Sequence, residues 1–140
     1  MRVYVAGSFD TPDDIRRVVR TQGLLREAGI EVLNQLDVSF IEVRDFRGRA
    51  GLARRIVEHD LGLVGRADAV IALADKPSFG TAIEVFFAKH VLKRSVIVLA
   101  TKPVRSPWVV AFADKVARDE PEFVRLVKEM AASSGAPGGR

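Results

Sequence analysis

The strongest constraint on this chain is a set of short apolar runs, each followed by a turn signal and then a helix-length segment. The clearest are Ala69-Val70-Ile71-Ala72-Leu73 and Ser95-Val96-Ile97-Val98-Leu99-Ala100. Runs this short and rich in β-branched residues read as strands buried on both faces. Met1–Ala6 and Ile30–Leu33 repeat the pattern, and Lys115-Val116-Ala117 is predicted as a short edge strand. Helices are predicted from Pro12 to about Ala28, Arg49 to Val64, Ala82 to Leu92, Ser106 to Ala113 and Asp119 to Met130. Alternating strands and helices with short connections predict an α/β fold. Its expected form is a three-layer, Rossmann- or flavodoxin-like sandwich with a four- to five-stranded parallel sheet. Residues 1–130 are predicted to form one domain, and 131–140, with their Gly, Pro and Ser, a flexible tail.

Local signals support these boundaries. Thr11-Pro12-Asp13-Asp14 places an N-cap, a proline at the first helical position and two acids on the positive end of the helix dipole. Gly29 ends that helix. Residues 34–47 form a long loop of mixed charge, a length more often functional than idle. The stripe Leu52, Ala53, Ile56, Val57, Leu61, Leu63, Val64 marks the core side of the second long helix. Asp60 falls in the middle of that stripe, where an apolar residue is expected. The next helix is apolar nearly all round, which suits a helix sandwiched in the core or shared with another subunit.

Composition excludes several chemistries. The chain has no cysteine, so disulfides, thiolate metal sites and a Cys nucleophile are out. Two histidines argue against a His-rich metal centre. The net charge of +4 is dispersed, with no basic stripe interleaved with aromatics, so nucleic-acid binding is not the expected role. No run has the length of a membrane span. The chain opens directly on a strand rather than a signal peptide, and a cytoplasmic protein is expected.

Three features are predicted at the carboxyl edge of the sheet: Tyr4 to Ser8, Asp60, and Ser78 to Glu84. If strands one and three are neighbours, these converge where the strand order reverses. Glu84 has two readings. Thr81-Ala82-Ile83-Glu84 fits a capping box, with Glu84 returning a hydrogen bond to the helix start. Near a positive helix end, the same carboxylate is kept ionised as a nucleophile. Asp60 is either a buried acid tied to an amide or Arg, or a catalytic group. Tyr4 lies in a buried strand, and its hydroxyl needs a partner there; a carboxylate is a good one. Gly7-Ser8 and Ser78-Phe79-Gly80 offer amides and hydroxyls to a phosphate or sugar, or simply make turns. His59 and His90 read as surface or helix-flank residues.

These pieces together resemble the nucleoside 2-deoxyribosyltransferase superfamily, and within it the 2'-deoxynucleoside 5'-phosphate N-hydrolases. The matching residues are Val3-Tyr4-Val5-Ala6-Gly7-Ser8, Glu58-His59-Asp60-Leu61, Ala67-Asp68-Ala69-Val70, and Pro77-Ser78-Phe79-Gly80 through Glu84. The resemblance implies that Glu84 is the nucleophile, that Asp60 lies near sugar and base, and that Tyr4 positions the nucleophile. It implies that Ser8 and Ser78 hold a 5'-phosphate, with Gly7 and Gly80 beside them. It also implies a homodimer or larger assembly, with Ser106 or Trp108 as a donor to a neighbour's site. The first loop, Phe9-Asp10-Thr11-Pro12-Asp13-Asp14, is acidic where those hydrolases carry a basic, Gly-rich one, and acids there repel phosphate.

The function these residues imply is cleavage or transfer of the base of a 2'-deoxynucleoside or its 5'-monophosphate, without metal or organic cofactor. The alternative is a non-catalytic nucleotide-binding module on the same scaffold.

Overall fold

A computed structural model describes residues 1–37 and 43–134. Five strands form one parallel sheet: β1 (Arg2–Ala6), β2 (Glu31–Leu33), β3 (Ala69–Leu73), β4 (Ser95–Leu99) and β5 (Lys115–Ala117). The spatial order is β2-β1-β3-β4-β5. β1 and β3 are therefore neighbours, with Tyr4 beside Val70 and Ala6 beside Ala72. The order reverses between them, and this is the crevice where open α/β sheets bind ligands.

Period-two alternation divides the core. Val3, Val5, Ile71, Leu73, Ile97 and Leu99 face one side. They pack there against Val18 and Leu25 of α1 (Pro12–Glu27) and Phe123 and Val127 of α5 (Glu120–Ser134). Tyr4, Ala6, Val70, Ala72, Val96 and Val98 face the other. Their partners are Leu63 and Val64 of α2 (Ala50–Arg66), Val85 of α3 (Phe79–Phe86) and Ala88 in the π-helical turn Phe87–Val91. A fourth, short helix, α4 (Pro107–Val110), follows β4.

The helix starts follow their sequence signals in α1 but not in α3. Thr11 caps α1 with a complete capping box in which Asp14 is the reciprocating acid. Gly29 adopts φ +80° beyond its end, a backbone shape that favours glycine. α3 starts three residues earlier than predicted. Its cap is Ser78, whose Oγ accepts from the Thr81 amide. The Thr81–Glu84 capping box therefore does not form.

Three further expectations change. The last helix runs on through Ser134, so residues 131–134 of the expected tail are helical; 135–140 lie outside the described residues. Of the loop 34–47, Gln35–Asp37 make a 3-10 turn and 38–42 lie outside the described residues. Val57 of the expected α2 stripe is exposed, because α2 buries only its carboxyl end, Leu63 and Val64, against the sheet.

The short β2 ends level with Tyr4, so the next β1 carbonyl has no strand partner on that side. The buried side-chain amide of Gln35 donates to this Val5 carbonyl. An unpaired carbonyl there would destabilise the strand that carries Tyr4.

Candidate active site

The inward face of α3 reads Thr81, Glu84, Val85, Ala88, a helical core stripe carried into the following turn with a carboxylate in it. Packing on β1 and β3 is what buries Glu84. Below it on β1, Tyr4 is almost fully buried, and its hydroxyl donates to Glu84 Oε2 at 2.6 Å. The phenol found the carboxylate partner that its burial demanded. Beyond Tyr4 on the same sheet face lie Ala6 and Ala72, two small side chains on adjacent strands.

Burial dominates the electrostatics. Loss of solvation pushes the Glu84 carboxyl up to about 8; the Tyr4 hydrogen bond opposes this, and the nearby Asp60 charge adds to it. This corrects the expectation that the helix end lowers the pKa of Glu84. With Ser78 as the cap, Glu84 sits beyond the first turn, where the dipole has little reach. The Tyr4 hydroxyl is raised far above the usual phenol range by burial, then by the charges of Glu84 and Asp60, so it remains a proton donor.

Asp60 lies on α2 close enough for its charge to act on both members of the pair. Burial raises its own carboxyl, while His59, whose Nδ1 lies 2.9 Å from Asp60 Oδ1, offsets part of that shift. His59 was predicted as a flank residue; the structure ties it to the site acid. Neither the helical stripe nor the spacing signals a contact between consecutive residues.

The remaining predicted residues divide into two groups. Ser78 is a helix cap that accepts from the Thr81 amide. Gly80 has open space beside it, with only Ser78 Oγ at 4.0 Å from an added Cβ. Ser8 is buried; its hydroxyl donates to Asp14 Oδ2 (2.9 Å) and accepts from the Asp10 amide (3.2 Å). A Cβ on Gly7 would come within 3.0 Å of Val18 Cγ2 and 3.2 Å of Leu73 Cδ1. Glycine there permits close packing of α1 on the sheet.

Thr81 was missed as a site residue. Its Oγ1 is buried and, among the described residues, has no hydrogen-bond partner. It lies one turn before Glu84 on the same helix face. Among the described residues, no group of three or more His, Asp or Glu is arranged to hold a metal. No helix among them is long and apolar enough to cross a membrane.

The outer face of α3 is apolar and uncovered. Phe79 is 94% exposed, and Ile83, Phe86 and Val91 are also exposed. Trp108 of α4, 70% exposed, adds to this surface. Phe86 packs edge-on against Phe112 at 5.7 Å and lies over His90 at 5.0 Å. The helix predicted to be apolar all round thus has one face in the core and the other in the open.

A family model described as nucleoside 2-deoxyribosyltransferase matches residues 3–119. No curated protein matches in sequence. Among solved structures, a 2-deoxyribosyltransferase from the psychrotolerant bacterium Bacillus psychrosaccharolyticus is similar, with TM-score 0.66 and 17% identity. The match covers 91% of this chain and 90% of that one. A Clostridium botulinum CMP N-glycosidase, BcmB, is similar with TM-score 0.55 and 18% identity, over 91% of this chain and 98% of that one. At these identities the likeness shows a shared fold.

Proposed function

The chain belongs to the nucleoside 2-deoxyribosyltransferase family, and from that premise we propose that it cleaves or transfers the base of a 2'-deoxynucleoside through a glycosyl-enzyme on Glu84. The observation that carries this reading is the buried Tyr4–Glu84 hydrogen bond with Asp60 alongside. A carboxylate held by a phenol under small residues, with a second acid nearby, is the equipment of a retaining glycosyl transfer.

Glu84 Oε attacks C1' of the sugar, and the N-glycosidic bond breaks with its electron pair going to the base. Asp60 delivers the proton that neutralises the leaving base. Water, or the ring nitrogen of a second base, then attacks C1', gives its proton back to Asp60, and releases Glu84. The reactive form holds one proton for two carboxyls: Asp60 protonated, Glu84 ionised and hydrogen-bonded by Tyr4. In the free site burial favours the proton on Glu84 near neutral pH. Positive charge developing at the sugar favours its transfer to Asp60. Ser78 and Gly80 at the head of α3, with Gly7 and Ser8 at the end of β1, border the sugar.

The exposed apolar face built from Phe79, Ile83, Phe86, Val91 and Trp108 supports a homodimer, in which Trp108 would reach the neighbour's site. The test is base release from a panel of deoxynucleosides and their monophosphates by Glu84→Ala and Asp60→Asn, with and without an acceptor base. Losses of a hundredfold or more are expected. Unchanged release in both variants overturns the reading.

A further inference from the structure

His59 Nδ1 lies 2.9 Å from Asp60 Oδ1. Consecutive residues of a helix point in different directions and do not ordinarily meet. Here Asp60 stands in the apolar stripe of α2, His59 stands on its flank, and both side chains are half-buried. The contact has a direction. An imidazole nitrogen beside an ionised carboxylate carries the proton, so Nδ1 is the donor and Oδ1 the acceptor. An aspartate carboxyl turns about a broad, two-fold torsion, and its oxygens are interchangeable until a partner tells them apart. We propose that His59 is a positioning residue for the proton donor: it holds Asp60 Oδ1, leaves Oδ2 to carry the proton to the departing base, and stabilises the carboxylate that remains.

The proposal rests on the function proposed above, in which Asp60 protonates the base. As the base nitrogen takes the electron pair of the N-glycosidic bond, the proton on Oδ2 passes to it and a negative charge appears on Asp60. The Nδ1 proton stays on His59 throughout. Tyr4 and Glu84 already feel the charge of Asp60. Burial penalises that charge, and the His59 hydrogen bond opposes the penalty. A donor fixed on the ionised form makes the carboxyl a stronger acid at the moment it is needed. The same bond keeps Oδ1 occupied when Asp60 later takes the proton of the attacking water.

The experiment measures kcat and KM for His59→Leu, His59→Asn and His59→Leu/Asp60→Asn on two substrates. One is an ordinary 2'-deoxynucleoside. The other is a nitroimidazole 2'-deoxyriboside, whose base leaves as a stabilised anion and needs little protonation. On the nucleoside, His59→Leu should lose at least tenfold in kcat with KM within threefold of wild type. On the nitroimidazole substrate the loss should shrink to less than threefold. His59→Asn, which keeps a donor near the Nδ1 position, should restore kcat at least fivefold over His59→Leu. The double variant should be within threefold of Asp60→Asn alone. An equal loss on both substrates, no gain from Asn over Leu, or a double variant slower than that limit overturns the proposal. Ring ¹⁵N NMR of His59 in the wild type needs neither turnover nor a folded variant. The proton should sit on Nδ1 at neutral pH, and a proton on Nε2 alone overturns the proposal. Absence of base release from every substrate would refute the parent reading and leave the NMR spectrum to decide whether His59 donates to Asp60.

Discussion

Tyr4 on the first strand and Glu84 on the third helix lie 80 positions apart in sequence and share a 2.6 Å hydrogen bond in the interior. The bond favours the ionised carboxylate, burial favours the protonated one, and burial wins, leaving Glu84 at about 8. Most of the chemistry expected of this protein follows from that balance.

The pH profile should report it. A reactive form with one proton on two carboxyls gives a bell-shaped kcat/KM, with the alkaline limb falling near pH 8. Tyr4→Phe removes a hydrogen bond that lowers the Glu84 pKa, so that limb should move to higher pH while kcat drops about tenfold to a hundredfold. Asp60→Asn removes the proton donor and a charge that raises Glu84. The alkaline fall should vanish, leaving activity about a hundredfold lower that rises with pH below 8. Initial-rate profiles from pH 5 to 10 check all three.

Glu84 should weaken the fold as pH rises. Its folded pKa, about 8, lies above the ordinary 4.5. Its contribution is therefore complete below 4.5 and is lost as pH rises through 8. Glu84→Gln has no proton to lose. The stability gap in its favour should widen by up to about 1.4 kcal/mol per pH unit in that window. Urea melts at pH 5, 6.5 and 8 measure it.

Thr81→Val should separate stability from substrate binding. The hydroxyl is buried without a partner among the described residues, so an isosteric apolar side chain should leave the melting midpoint unchanged or higher. On the proposed function the Thr81 hydroxyl, one turn before Glu84, would contact the substrate, so KM should rise severalfold. Urea melts and steady-state kinetics on the same preparation check both.

The α3 face should hold two chains together. Light scattering after size exclusion should give twice the chain mass of 15.4 kDa at micromolar concentration. Ile83→Glu places a charge in the middle of the patch and should give the single-chain mass with the fold intact by circular dichroism.

The sheet was legible because it rests on local signals. Apolar runs, Gly29 and the Thr11-Pro12 start act over a few residues, and each has one dominant physical meaning. The site was legible where an acid stood in an apolar stripe, as at Asp60. The same signal was present at Glu84, in the stripe Thr81, Glu84, Val85, Ala88. It was masked because Ile83, Phe86 and Phe87 made the helix read as apolar all round. Which of two equivalent caps, Ser78 or Thr81, starts α3 depends on how the helix docks on β1 and β3. That docking turned Glu84 from a cap into the partner of Tyr4. The bonds of His59 to Asp60 and of Lys76 to Asp14 depend on side-chain directions that no periodicity encodes.

The central claim is that Glu84 bonds to the sugar. Rapid acid quench of the enzyme during turnover of a 2'-deoxynucleoside, followed by peptide mass mapping, tests it directly. The account predicts one 2-deoxyribosyl unit on the peptide containing Glu84, absent from Glu84→Ala. Base release at the wild-type rate by Glu84→Ala, or a sugar adduct on any other residue, would contradict it.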